Sequence, residues 1–171
     1  MFLSQTAALG SATALGWAET GNQAAEPVLT ATSVRTLGKT GLATTALGIG
    51  TGTKAWNKSS AQNRQGRDEF LKTLRTALDA GIRYIDMADM YGAHEYVRDA
   101  VREAGVDRKQ LLYLTKTTAK DAPTLQADLD RFRQELDTDY LDIVLLHCMT
   151  EPDWSDKMKA CMDVLSDAKS R

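Results

Sequence analysis

Strand-like and helix-like segments alternate from Ser33 to the carboxyl end with a beat of about thirty residues, and no other feature limits the fold so strongly. Ala46-Leu-Gly-Ile-Gly50 reads as a short strand running into a glycine-rich loop. From Arg67 to Ala80, Phe70, Leu71, Leu74, Ala77 and Leu78 share one helical face, and Gly81 behind them is a left-handed stop. Ile82 to Ala88 is a strand. Glu95 to Ala104 is a helix with Val97, Ala100, Val101 and Ala104 in line, closed by Gly105. Leu111 to Lys116 is the next strand, and Pro123 stands in the first turn of a helix lined by Leu125, Leu129, Phe132 and Leu136. Leu141 to His147 is almost continuously apolar, the pattern of a strand buried on both faces. Met158, Cys161, Met162 and Leu165 stripe a last helix. Four such units predict a parallel α/β sheet with right-handed crossovers. Ahead of them, Arg35 to Gly41 predicts half of a β-hairpin with its turn at Lys39-Thr40-Gly41.

Length and charge narrow the possibilities. The 171 residues are too few for a complete eight-fold β/α barrel, for which ~250 is typical. Lys and Arg number 21 against 23 Asp and Glu, a net charge of −2, so no broad positive field exists to hold a nucleic acid. No apolar run reaches the ~18 residues that a membrane span needs. Cys148 and Cys161 match no zinc or disulfide-exchange spacing, and Cys161 reads as a small core residue on its helical stripe. Residues 1–34 are of another material: they hold no Lys or Arg and are rich in Ala, Gly, Ser and Thr. They fit a disordered tail. They equally fit the remnant of an export leader whose twin arginines lie upstream of Met1, since a Phe-Leu pair opens the stretch. As written, the sequence leads us to expect a cytoplasmic chain, and an exported one if that start exists.

The polar residues that interrupt the strands fall at equivalent places. Asp86, Lys116 and His147 close successive strands at intervals of 30 and 31 residues, one βα unit each. In a parallel β/α barrel such positions converge at the carboxyl-end rim, where active sites of this fold are built. Tyr91 follows Asp86 in the loop beyond the same strand end. Alone, Lys116 could be a solvated strand end and His147 a satisfied core histidine. Together the four suit proton delivery to a carbonyl. An unperturbed phenol, with pKa near ~10, is a poor acid at neutral pH, and an adjacent ammonium makes proton donation easier. Asp86 would keep Lys116 charged and aimed, and a neutral His147 would hydrogen-bond the substrate oxygen. None of the four can supply a hydride, so a cofactor must.

Gly81-Ile-Arg-Tyr-Ile-Asp-Met-Ala-Asp-Met-Tyr-Gly92 resembles the signature of the aldo-keto reductase family. So do Leu114-Thr-Lys-Thr117 and Val144-Leu-Leu-His147, in the same order and at the right intervals, together with Arg35 to Leu42 and Ala46 to Thr51. The resemblance runs from Ser33 to the end. It implies a TIM-barrel enzyme that reduces a small aldehyde or ketone with NADPH. Tyr91 would be the general acid, assisted by Lys116, Asp86 and His147, and Gly50, Thr51 and Asp86 would approach the nicotinamide end of the cofactor. The sequence would then be the amino-terminal half of a barrel, residues 35–171, with four βα units preceded by a short hairpin. The family's main NADPH contacts belong to the other half. Residue 94 departs from the family: His94 stands where many members have Ser, and reads as a surface residue at a helix start.

Gly48-Ile-Gly-Thr-Gly-Thr53 is no dinucleotide fingerprint, because Thr53 occupies the third glycine's place and no helix begins directly after it. A tight loop at a barrel rim is the better account. Trp56 is the bulky candidate nearby, either packing over the barrel mouth or touching substrate. Two classes of function therefore stand: an oxidoreductase of the aldo-keto type, and a catalytically inactive half-barrel that associates with a partner. In either case the open strand edges predict that the isolated chain self-associates.

Overall fold

A computed structural model describes residues 28–170. The leader reading of residues 1–34 rests on Phe2 to Ala18, which lie outside the described residues. Strand β1 (Val34–Thr36) pairs antiparallel with β2 (Ala43–Thr45), Val34 opposite Thr45. Between them Gly38 and Gly41 take φ of 53° and 77°, backbone that residues with a Cβ resist. The hairpin is therefore complete, and its second strand takes Ala43–Thr45 while β3 is confined to Gly48–Gly50. Residues ahead of the expected boundary at Arg35 also make backbone bonds to this hairpin region. Ser33 O accepts from Ala46 N at 2.9 Å and Ala31 O from Leu47 N at 3.0 Å, so residues 31 and 33 bond the chain between β2 and β3.

After β3 come α1 (Arg67–Asp79), β4 (Tyr84–Asp86), α2 (His94–Ala104), β5 (Leu112–Thr117), α3 (Ala122–Leu136) and β6 (Ile143–Leu146). A short α4 (Trp154–Lys157) and α5 (Lys159–Lys169) follow, separated at Met158. Strands β3 to β6 form one parallel sheet in chain order, with Gly50 beside Asp86, Asp86 beside Leu114 and Lys116 beside Leu145. This is the architecture that the alternation dictates.

Each helix is held by its apolar stripe. Phe70, Leu74 and Leu78 of α1 and Val97, Ala100 and Val101 of α2 bury against Ile85, Met87 and Tyr113 of the sheet layer. Leu125 and Leu129 of α3 meet Met158 and Cys161 over Val144 and Leu146, which places Cys161 in the core. Helix α3 starts where Asp121 accepts from Thr124 N at 2.8 Å. The hairpin seats on the amino-terminal end of the sheet: Arg83 N, one residue ahead of β4, donates to Thr45 Oγ1 at 3.0 Å.

Strand β6 is not buried on both faces. Among the described residues it pairs with β5 alone, and Leu145 is 42% exposed. Its apolar run suits a central strand, but among the described residues nothing covers its second edge.

Candidate active site

The parallel sheet carries three charged or ionisable side chains to one end. Asp86 is the last residue of β4, Lys116 stands near the end of β5, and His147 follows β6 directly, with its N–H donating to Thr117 O at 2.9 Å. Tyr91 closes a single 3-10 turn, Asp89–Tyr91, just beyond β4. There Tyr91 N donates to Ala88 O at 2.9 Å, and Gly92 reverses the chain with φ 62°.

These four side chains meet. The Lys116 ammonium donates to Asp86 Oδ1 at 2.7 Å, Asp86 Oδ2 at 2.9 Å and Met87 O at 2.9 Å, which uses all three of its hydrogens. From that position Nζ lies 5.1 Å from the centre of the Tyr91 ring. The Tyr91 and His147 rings are 5.6 Å apart and edge-on at 79°. Burial holds the His147 imidazole below its ordinary pKa, and the nearby Lys116 charge adds to this against the opposing pull of Asp86. It is therefore neutral at pH 7. Its Nδ1 is buried without a hydrogen-bond partner among the described residues.

The proposed cofactor positions differ in kind. Gly50 is exposed at the rim, with open space where a Cβ would stand. Thr51 is fully buried, and both its N–H and its hydroxyl donate to Asp86 O, at 3.1 and 2.9 Å. Its side chain thus fixes the end of β4 instead of facing the opening.

Several supporting residues escape sequence reasoning. Gly52, the third glycine of the run Gly48-Ile-Gly-Thr-Gly52, lies so close to the Tyr91 ring that a Cβ there would meet it. Asn63 Nδ2 donates to Tyr91 O at 2.9 Å and to Lys58 O at 3.2 Å, tying the long loop after β3 to the Tyr91 turn. Asp89 in that turn receives Lys58 and Arg131. Although burial raises its pKa, those two cations hold the carboxyl below the usual range.

His94 is not a surface residue. It is 3% exposed, its Nδ1 lies 2.6 Å from Glu135 Oε2 and its Nε2 2.8 Å from Thr115 Oγ1. The reason is its register: His94, Val97 and Val101 share the face of α2 that turns inward, a spacing visible in the sequence. Trp56 is 74% exposed and borders a hollow of about 240 Å³ with Asn57, Lys58, Asp89, Met90 and Thr118, next to the Tyr91 turn. A larger open depression, lined by Asp130, Arg133, Gln134, Asp137, Thr138 and Asp139, contains none of the four clustered residues.

The model of the aldo/keto reductase family matches residues 47–171. The chain belongs to the aldo/keto reductase family. Among curated relatives it is 34% identical over 99 residues to an NAD/NADP-dependent indole-3-acetaldehyde reductase of Schizosaccharomyces pombe, covering 57% of this chain and 33% of that protein. It is 32% identical over 110 residues to a methylglyoxal reductase of Salmonella typhi, covering 61% of this chain and 39% of the relative. Among solved structures, an aldo/keto reductase from Brucella melitensis superposes with a TM-score of 0.64 at 26% identity, over 81% of this chain and 50% of the other. One from Klebsiella pneumoniae, solved with NADPH, gives 0.54 at 28% identity, over 75% and 44%. The chain thus spans about a third of the length of these curated aldo/keto reductases and about half of these solved ones. Its sheet and helices are part of the family's (β/α)8 barrel. No described helix is long and apolar enough to cross a membrane.

Proposed function

We propose that the four clustered residues are the acid–base centre for NADPH-dependent reduction of a small aldehyde or ketone. The observation that carries this is the Asp86–Lys116 ion pair set beneath the Tyr91 ring, with neutral His147 edge-on to the same ring. Tyr91 donates the proton to the carbonyl oxygen. Lys116 supplies a positive charge close to the phenol, which stabilises the phenolate left behind. Asp86 holds that ammonium in place. His147 hydrogen-bonds and orients the substrate oxygen, a role that needs the neutral imidazole its burial maintains. The relatives named for methylglyoxal, glyoxal and indole-3-acetaldehyde make small aldehydes the substrate class to test.

The residues present fit the reacting end of the cofactor: the rim backbone at Gly50 is open, and the four polar side chains face one another beside it. Gly50 and Asp86 would meet the nicotinamide, with Thr51 holding Asp86 from behind. NADPH, when bound, supplies the hydride. The test is NADPH oxidation with methylglyoxal, by this chain alone and by the chain joined to the carboxyl-terminal half of a family barrel. Tyr91→Phe should lower the rate ~10²–10⁴-fold. A variant within twofold of its parent would remove Tyr91 from the acid's role.

The exposed β6 supports a second reading, association of the half-barrel with a second copy of itself. Among the described residues the second edge of β6 is unpaired, with Leu145 open to water, and such an edge is a template for pairing. Sedimentation of the isolated chain decides: a monomer at micromolar concentration removes this reading.

A further inference from the structure

We infer that Arg131 is a positioning residue, the hub of a charged frame on α3 that sets the Tyr91 turn in register with Lys116. The inference rests on the reading of Tyr91 as the acid and of Lys116 as its neighbour. Arg131 donates from Nη1 to Asp89 Oδ1 at 2.6 Å and to Glu135 Oε1 at 2.8 Å, and from Nη2 to Asp128 Oδ1 at 2.6 Å. One guanidinium thus joins three carboxylates, and each carboxylate reaches a different part of the site. Asp89 opens the turn that ends at Tyr91, and the Oδ1 that accepts from Arg131 also pairs with Lys58 of the preceding loop. Glu135 bonds His94, whose second nitrogen bonds Thr115. Asp128 accepts from the Thr117 hydroxyl.

Thr115 and Thr117 flank Lys116 on β5 and, by strand alternation, point to the opposite face from it. Both are fully buried. The frame therefore grips β5 on either side of Lys116 from behind and grips the Tyr91 turn at Asp89 through the same guanidinium. A planar, permanently charged fork can hold three acceptors in fixed directions, which a flexible ammonium cannot do as well. A helix used only for packing has no need of this arrangement, since Leu125, Leu129, Phe132 and Leu136 already bury α3.

Amide hydrogen exchange of the full chain tests the frame, because it reads the turn whether or not Tyr91 is the acid. The reporters are Tyr91 N–H on Ala88 O, Gly92 N–H on Asp89 O and Lys58 N–H on Met90 O. Arg131→Gln and, approaching the same bond from its other end, Asp89→Asn should each speed exchange at these amides at least tenfold. Amides in the middle of α1 and α2 should stay within twofold. Arg131→Lys should recover part of the protection, and the double variant should be no worse than the worse single one. The Tyr91 ring resonance, identified by its loss in Tyr91→Phe, should move toward the free-tyrosine position in Arg131→Gln. Unchanged turn amides in either variant, or loss of protection spread evenly over sheet and helices, would overturn the inference. If Tyr91→Phe kept full carbonyl reduction while the turn still loosened, the acid reading would fail and the frame would stand.

Discussion

Gly52 lies so close to Tyr91 that a Cβ built on it would stand 2.3 Å from Cε2 and 2.4 Å from Cζ of the phenol ring. The missing side chain is what lets the ring settle between the loop after β3 and the Lys116 ammonium. Gly52→Ala should therefore displace the ring. Overpacking of this kind costs about 1–3 kcal/mol, and misplacing a reacting group by ~1 Å can cost ~10²-fold in rate. The loss in the double variant Gly52→Ala/Tyr91→Ala should be smaller than the sum of the two single losses, because the clash is then gone. Urea unfolding of the two single variants and the double variant measures this; purely additive losses would mean that the contact carries no strain.

Lys116 and Asp86 depend on one another. Lys116→Met leaves a carboxylate facing apolar surface without its counter-charge. Breaking a fully buried pair costs ~3–5 kcal/mol, but Asp86 keeps 35% of its side chain exposed, so water screens part of the loss. We expect a decrease of about 2 kcal/mol, read from the denaturant midpoint. A change below ~0.5 kcal/mol would place the pair among surface ion pairs of little consequence.

The α3 frame should make the protein sensitive to acid. Glu135 is held down to about 2, burial opposing and the bonds from His94 and Arg131 prevailing. Its folded pKa lies below its unfolded one, so between the two the unfolded chain binds more protons. The contribution is present above about pH 4.5 and is lost as pH falls toward 2. The carboxyl of Asp89, lowered through the same guanidinium, acts in the same direction. Urea midpoints at pH 6, 4 and 3 should fall steeply for the parent and less steeply for Glu135→Gln. Equal slopes would refute the assignment.

His147 should titrate below an ordinary histidine, because burial and the Lys116 charge both disfavour its cation. Lys116→Met removes the second influence and leaves Asp86, which favours the cation, so the imidazole should titrate at higher pH in that variant. The sense for stability follows: a lowered histidine pKa favours the fold above the unfolded value, and the benefit fades as pH falls through the folded value. Proton NMR of the two imidazoles, assigned with His147→Gln, reads the shift. No movement on removing Lys116 would mean that burial alone sets it.

The sequence shows the strand and helix order because each apolar stripe repeats within a few residues, as in Phe70, Leu74 and Leu78. It shows the Asp86, Lys116 and His147 cluster because a parallel sheet converts equal spacing into a common end. It does not show what holds the cluster. Glu135 is 41 residues from His94, and Arg131 is 42 from Asp89, contacts made only once α2 and α3 lie side by side. His94 was within reach, since its spacing from Val97 and Val101 marks the buried face, but its polarity argues for water until Glu135 and Thr115 are beside it. Leu141 to His147 shows the converse: apolar content records what a strand can tolerate on its faces, whereas among the described residues β6 has a neighbour on one edge and Leu145 stays exposed.

The seating of the hairpin has a practical consequence. Ala31 and Ser33 are tied to the start of β3, and Thr32 touches Gly81 ahead of β4, so residues 31–33 lie at the end of the sheet opposite Tyr91. A fluorophore or affinity handle attached at exposed Thr30 would stand at that end of the sheet, away from the proposed chemistry. Surface immobilisation through that handle would leave the Tyr91 end facing the solution, open to cofactor and aldehyde alike.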